Sequence, residues 1–330
     1  MNEGRDVKIR ALIDLADARM LELVALMKPI LGYGGFTKED RQVLICLSTA
    51  SARTSGSVLV LLEFGKTWDA EILSRTVFEG TLKFCHLLSD RDQFRARLTE
   101  YEQILTDINS LADHEKVERL IAVFPGKDKT ALEPLKKLVL PEKQRETIRH
   151  QYPKQDRRRL QTTWGFTGLI EQMVRSGDGM GALAAGLLHG FAMASHVANA
   201  DYIGVGMVVE REYRESERRE AVHYAHAARV ISDQLWYCAL RLIVGYRFIG
   251  EPIEPISKLM SDGSELEQRL SEAQRDWYRV EYGVACSRCA PFARPESGSS
   301  FLRTEPEHGG VVLRQALKVR IHCAPFGKPF

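Results

Sequence analysis

The sequence lacks the short motifs that mark the commonest enzyme classes. Its 330 residues contain no phosphate-binding loop, no dinucleotide-binding glycine fingerprint, no His-Glu-x2-His zinc motif and no Gly-x-Ser-x-Gly nucleophile motif. Each motif places the groups that its chemistry needs at a fixed spacing, so the absence of all four argues against the commonest nucleotide-dependent, zinc-protease and serine-hydrolase activities. Whether the protein is an enzyme stays open on this ground.

The chain also lacks an excess of charge of either sign. Its formal net charge is +2, with 44% hydrophobic and 27% charged residues, a composition typical of soluble globular proteins. A balance this close to neutral makes no case for a nucleic-acid or membrane partner, and such a partner would need a local patch. The length allows one large helical domain or two smaller ones.

Secretion signals and a disulfide framework are both missing. Three of the six cysteines, Cys46, Cys85 and Cys238, fall inside apolar helical patterns, which is typical of buried thiols in a reducing compartment. The N-terminal segment is charged from its start and has no apolar signal-peptide core. The sequence therefore predicts a cytoplasmic protein without a membrane span.

The C-terminal region has little periodicity, and we predict a short helix followed by a poorly ordered, irregular tail over 261–330. A Cys-x2-Cys pair in the tail invites a zinc site, but the further spacing fits no common zinc finger. The residues concerned are Cys286, Cys289, His308, His322 and Cys323. We predict no metal and no cofactor, with zinc in the tail left open.

Helical periodicity governs the rest of the chain and predicts an all-α fold, an antiparallel multi-helix bundle over residues 1–260. Apolar residues recur at three and four over 6–30, 39–64, 69–90 and 208–246. Thr37 with Asp40 three residues later is a typical N-cap and first-turn acid for the second of these helices. No internal repeat interrupts the pattern.

The stretch 69–90 is the predicted centre of the bundle. Advancing about 100° per residue places Leu73, Val77, Thr81, Phe84 and Leu88 on one core-facing stripe. Arg75, Glu79 and His86 share another sector, bordered by large aliphatic residues. Three interpretations remain: an exposed ladder of i, i+4 charges that also includes Glu71, a buried structural ion pair, or a functional site.

The predicted partner of that helix is the stretch 189–207. Between Gly181 and Ala200 there are ten Gly or Ala residues and no charged residue, which favours a buried helix over a membrane span because polar groups share one side of it. Buried polar groups need partners. We therefore expect a polar cluster with Arg75 and Glu79 on one helix and, on the other, Ser195, His196, Asn199 and Asp201.

The string SRTVFE at Ser74–Glu79 and the later Phe191-x3-Ser195-x3-Asn199 pattern together resemble a bacterial helical domain family of unknown function, over about 45–207. That family has an Arg-x3-Glu helix and a later Tyr-x3-Ser-x3-His helix. Here Phe191 replaces the tyrosine and Asn199 stands where the histidine is expected, while His196 lies about one turn earlier. The resemblance implies a helical fold and this polar cluster, and it implies no activity.

In size and helicity the chain also resembles HEPN ribonucleases of toxin and phage-defence systems, which cleave RNA without metal through paired Arg and His residues. The resemblance implies that arginine stabilises the charge on phosphorus and that histidine moves the 2′-hydroxyl proton. Their Arg-x4–6-His signature is matched by Arg145/His150 and Arg218/His223. A pairing of Arg75 with His196 across two helices would serve the same purpose.

Three functions therefore compete: a non-catalytic binding or assembly module, a metal-independent HEPN-like ribonuclease, and a metal-dependent enzyme. The cationic run within 145–159 is typical of a solvated face, and RNA binding through it is the alternative. A homo-oligomer stays open. Of the three functions, the binding or assembly module is the one that the sequence favours.

Overall fold

The computed structural model describes residues 3–123, 132–175, 190–261 and 264–283. All the regular secondary structure in these ranges is helical, as the sequence predicts. The helices are α1 Glu3–Ala25, α2 Lys28–Leu31, α3 Lys38–Glu63, α4 Thr67–Leu88, α5 Phe94–Thr99, a π-helical turn Glu100–Ile104, α6 Leu105–Val123, α7 Glu133–Lys136, α8 Glu142–Gln151, α9 Lys154–Thr163, α10 Phe166–Arg175, α11 190–198, α12 Tyr202–Glu212, α13 Ser216–Ile249, α14 Glu254–Met260 and α15 Glu265–Tyr282. The predicted tail from 284 onwards, with its cysteines and histidines, lies outside these ranges.

The chain divides into two compact units, and the first combines residues 1–89 with 170–330. Its central element is α13, which is buried around most of its circumference over its last five turns. Helices α4 and α1 run parallel to α13: Glu71 meets His226 near one end of the α4 contact and Thr81 meets Arg241 near the other. For α1, Lys8 lies over Tyr224, and Tyr246 donates to the carbonyl of Leu26, just past the other end of α1, at 3.0 Å.

Short connections determine the antiparallel neighbours in this unit. Helix α3 begins at the predicted N-cap, Thr37, and the structure adds that Thr37 and Asp40 exchange hydrogen bonds as a capping box. Gly65, at a φ of +69°, ends the α3–α4 turn with a backbone conformation that glycine adopts freely. The chain then reverses, so that Ser51 of α3 lies against Gly80 of α4. At the other end of the chain, α15 packs antiparallel on α13 through Trp277.

Helix α4 confirms the predicted core stripe. Val77, Thr81, Phe84 and Leu88 are buried and Leu73, the fifth predicted member, is half-buried. Phe78 stacks on Tyr237 of α13 with ring centroids 4.9 Å apart. The turn of α4 around His86 is buried as well. Glu71, which the charge ladder would place in solvent, is instead buried against α13, and this position is the starting point of the site described below.

The second unit comprises residues 90–169. His114 of α6 is fully buried, and its Nδ1 accepts a hydrogen bond of 3.1 Å from the backbone N–H of Leu140. Trp164 donates its indole N–H to Glu100 at 2.9 Å, at the start of the π-helical turn. Both bonds satisfy polar groups inside the unit and fix a loop or a helix end in place.

One helix in the described part of the chain, α3, is long and apolar enough to cross a membrane by length and composition alone. In the first unit it packs lengthwise along α4 and contributes Leu44, Val58, Leu59 and Leu62 to the core. Core helices of helical proteins pass the same test, but 28% of the apolar window of α3 is buried, so one side of the helix packs in the core and the other is exposed.

Candidate functional site

The predicted pair on α4 forms, and it lies at the edge of the core. Arg75 donates from Nε to Glu79 at 3.2 Å, with 31% and 33% of the two side chains exposed. The guanidinium of Arg75 lies over the ring of Phe191 on α11, 4.4 Å from its centroid. The expected contact between the two helices is therefore made through a cation–π interaction.

The polar residues predicted on the second helix are brought together only in part. His196 Nδ1 lies 2.6 Å from Asp201, and Ser195 donates its hydroxyl to the carbonyl of Phe191 one turn back. Asn199 is exposed. In the ranges that the structure describes, no hydrogen bond or ion pair joins Arg75 or Glu79 to His196 or Asp201, so the six predicted residues form two separate pairs and two further positions.

Asp201 has a clear local role. Its carboxylate accepts from the backbone N–H of Gly204 at 3.0 Å and so caps the N-terminus of α12. This backbone hydrogen bond, followed by the bond to His196, lowers the pKa of Asp201. The α11–α12 corner is therefore a capped helix start in which His196 shares the capping carboxylate.

A second polar cluster, which the sequence did not predict, lies deeper in the same unit. We call it the buried charge cluster: Glu71 on α4, Arg211 on α12, and His226, Arg229 and Asp233 on α13. Glu71 Oε2 is 2.9 Å from His226 Nε2 and also accepts from Arg229. Arg229 donates to Asp233 at 3.0 Å, and Arg211 donates to His226 Nδ1.

These contacts assign the protonation state of the cluster. Because arginine donates to Nδ1, His226 is neutral and carries its proton on Nε2, which it donates to Glu71. Burial and the charge of Arg211 lower the pKa of His226 to about 3, against the raising effect of Glu71. Two carboxylates and two guanidiniums therefore balance one another around a neutral imidazole.

The pKa values of Arg211 and Arg229 are shifted in opposite directions, although the two side chains share one environment. Burial and the neighbouring charges of Arg229 and Arg214 lower the pKa of Arg211 to about 10. Burial acts the same way on Arg229, but Glu71 and Asp233 outweigh it and raise its pKa. For Glu71, burial alone would raise the pKa, and Arg229 with His226 instead lower it to about 2. All three groups remain charged at neutral pH.

Aromatic, amide and hydroxyl side chains lie beside the buried charge cluster, along the contact between the helices. Arg211 lies over the Trp68 ring, 4.2 Å from its centroid, and the same ring meets His226 edge-on at 5.0 Å. Two turns further along α13, Gln234 donates to Ser74 at 2.8 Å and accepts from Ser55 of α3 at 3.0 Å. Two separate hydrogen-bonded groups thus join the helices: the buried charge cluster connects α4, α12 and α13, and the Ser55–Gln234–Ser74 group connects α3, α13 and α4.

Gly204 brings α12 close to α11, and this contact gives a testable prediction. A Cβ at position 204 would lie 2.2 Å from the carbonyl oxygen of His196, so Gly204→Ala forces the two helices apart and is expected to lower the free energy of unfolding by about 1–3 kcal/mol. Gly206→Ala, on the open side of the same helix, meets nothing within 4 Å and is expected to be neutral or stabilising. Urea denaturation of both variants at low protein concentration compares them, and equal stabilities would contradict the close contact.

A metal site finds no support in the described ranges, where no group of three or more His, Cys, Asp or Glu side chains is arranged to hold an ion. The predicted cysteine and histidine set of the tail lies outside those ranges. The buried charge cluster is itself a poor ligand set, because its two carboxylates and its imidazole are already bound by arginines.

The two linear Arg/His matches do not form Arg–His pairs in the described residues. Arg218 forms an ion pair with Glu281 at 2.9 Å, and burial lowers the pKa of His223. Arg145 is engaged by Glu118 and Glu142, and its Nη1 lies 3.0 Å from the ring of His114. Within the 145–159 run, acids also pair with Arg149 and Arg159. The run is therefore less positive than its sequence suggests.

One family model matches the chain, over residues 41–167, and its description is "Family of unknown function (DUF5677)". The match includes α4 with Arg75, Glu79 and Glu71, and it ends before α11 and α13. A family of unknown function, as the SRTVFE string implied, is thus similar to under half of the chain. Neither the curated proteins nor the solved structures gave a match.

Proposed function

We propose that this helical protein is a non-catalytic binding or assembly module of the cytoplasm. The observation that carries the proposal is that both ring nitrogens of His226 are already engaged within the buried charge cluster. A general acid or base works best with a pKa near the operating pH, whereas His226 has its pKa lowered to about 3 and has both ring nitrogens engaged. Such a cluster holds helices together and performs no proton transfer at neutral pH.

The outer pairs support the same conclusion for Arg75. Its Nε is engaged by Glu79 and one face of its guanidinium by Phe191, so a phosphate would have to displace partners already in place. His196 is different, because a carboxylate holds its Nδ1, as in hydrolase triads, and 35% of its side chain is exposed. The ribonuclease hypothesis therefore has to be tested at this pair directly.

The test is RNA cleavage by the purified full chain with EDTA present. We expect no cleavage by the unmodified protein, and no change on His196→Ala or Arg75→Ala, with folding checked by circular dichroism. Cleavage that disappears in folded variants would overturn the proposal and establish a metal-independent ribonuclease. Cleavage that persists in both variants would indicate a contaminant, which a second purification by a different route would remove.

The cytoplasmic location is supported by the state of the described cysteines. Cys85 and Cys238 are buried free thiols, and burial raises the pKa of Cys238. A buried thiol whose pKa is raised by burial is unreactive and needs no oxidising environment. Cys46 is a free thiol as well, on the exposed side of α3.

A further inference from the structure

Helix α12 exposes an apolar face along its whole length. Tyr202 is 95% exposed, Tyr213 86%, Val205 49% and Val209 47%. On a helical wheel these residues and Gly206 fall within a sector of about 100°, and four of them within about 60°. We call them the α12 apolar face. Monomeric proteins rarely leave two tyrosines and two valines in one uncovered row.

Helix α12, which carries this face, is held in place by contacts on its other side and at its N-terminus. On its opposite side, Gly204 is buried against α11, and Arg211 reaches into the buried charge cluster between Trp68 and His226. Asp201 caps its N-terminus. Since three separate contacts fix the helix from behind, the apolar face points outward in a defined orientation and can act as a rigid docking surface.

The residues that flank the face favour a protein partner over a lipid surface. Helices that lie on membranes carry lysine and arginine beside their apolar face, where anionic lipids attract them. Here the exposed flanking charges are the carboxylates of Glu210 and Glu212, whose side chains are 38% and 62% exposed. Glu210 is paired with Arg214 at 2.7 Å, which leaves the carboxylate of Glu212 to repel anionic lipid.

The face is complementary to itself in an antiparallel arrangement. About a twofold axis midway between Met207 and Val208, Tyr202 of one copy meets Tyr213 of the other, and Gly206 meets Val209. The hollow at Gly206 has nothing within 4 Å of its Cβ position, so a valine side chain fits there as a knob. No charged residue lies within the sector, and antiparallel α12 helices oppose their dipoles favourably.

We propose that the α12 apolar face is the interface of a twofold homodimer, in which two α12 helices pack antiparallel across the Gly206 hollow. This rests on the proposed function, because it names a second copy of the chain as the partner of the assembly module. The 11-residue helix is about 16 Å long and covers less area than the ~800 Å² per partner of a standard interface. The dimer is therefore weak and forms in the micromolar range.

Sedimentation velocity of the full chain from about 1 to 300 µM measures the association. We expect the mass of the unmodified protein to rise from monomer to dimer over this range. Val209→Asp places a carboxylate at the centre of the interface and is expected to raise the dissociation constant at least tenfold. Val60→Asp on α3, an exposed valine at 52%, is the matched control and should leave the dissociation constant unchanged.

A charge-swap mixture distinguishes self-pairing from other causes. Val209 of one copy lies within about one turn of Val209 of the other, so Val209→Asp and Val209→Lys are each expected to be monomeric alone and to form a heterodimer when mixed. Only a surface that faces its own copy predicts rescue by the mixture. Low salt strengthens the effect, since it leaves the opposite charges unscreened.

Several results would overturn the dimer. These are a monomeric unmodified protein at 300 µM, dimers that persist in Val209→Asp, a mixture that stays monomeric, or equal loss of dimer in the Val60→Asp control. Flotation with vesicles of anionic phospholipid, if abolished by Val209→Asp, would assign the face to a membrane instead. RNA cleavage tests the proposed function separately: a monomer without cleavage overturns only the dimer, and a cleaving protein overturns the proposed function.

Discussion

Replacing Glu71 with glutamine is expected to lower the free energy of unfolding by about 3–5 kcal/mol, the usual cost of removing one partner from a buried ion pair. The carboxylate lies in the core, where it accepts from both Arg229 and His226. Without it, Arg229 and Arg211 keep their positive charges inside the protein with Asp233 as the one remaining acid of the buried charge cluster. Urea denaturation monitored by circular dichroism measures the loss.

The matched control is Glu79→Gln, two turns along the same helix. Its ion pair with Arg75 is about one third exposed, with 33% of the Glu79 side chain accessible. Water therefore replaces much of the lost interaction, and the expected change is below about 1 kcal/mol. If the two substitutions lowered the free energy of unfolding equally, the buried charge cluster would not stabilise the fold more than the exposed pair does.

The helix α4 could be predicted because the sequence patterns that mark a helix lie within a few turns of each other. A core stripe such as Val77, Phe84 and Leu88 appears in the sequence because burial repeats with the helical period, and the Thr37–Asp40 capping box appears because both partners lie within one turn. These local patterns predicted an all-helical fold correctly. They contain no information on which charged residue of a helix faces a distant helix.

Glu71 illustrates what the sequence could not show. By spacing alone it belongs to the exposed i, i+4 ladder with Arg75, and its actual partners lie 155 and 158 positions away. The partner of His226 could not be predicted either, because no acid near it in the sequence indicated one. The only available signal was weak: a histidine and an arginine one turn apart in an otherwise apolar part of α13. An alignment of homologues would reveal such a pair by covariation.

The location of the cluster also bears on what the matched family shares. Residues 41–167 contain Glu71, while Arg211, His226, Arg229 and Asp233 all follow the matched range. Glu71 thus belongs to the part of the chain that resembles the family, and the other four members of the cluster belong to the part that does not. The junction between α4 and α13 is accordingly one of the places where the family-like segment packs against the rest of the first unit, beside the contact of α3 with α1.

Acidification is expected to destabilise the protein well above the pH at which ordinary carboxylates titrate. His226 has a pKa of about 3 in the folded protein against an ordinary value of 6.5, so the unfolded chain takes up a proton between these limits and the folded protein does not. Stability is complete above about pH 6.5 and falls as the pH decreases, by about 2–3 kcal/mol at pH 4.5 from this group. Glu71, with its pKa lowered from 4.5 to about 2, adds a further loss below pH 4.5.

His226→Gln separates the histidine contribution from the rest. A glutamine amide can donate to Glu71 and accept from Arg211 without titrating, so the decline between pH 6.5 and 4.5 should become shallower by most of those 2–3 kcal/mol. His223→Gln is the control on the same helix: burial lowers the pKa of His223 too, but its side chain is more exposed, and the expected change in slope is smaller. Equal slopes in unmodified protein and His226→Gln would show that His226 is protonated in the folded state. Arg211 could then no longer donate to Nδ1, and the two positive charges would require a different arrangement of the cluster.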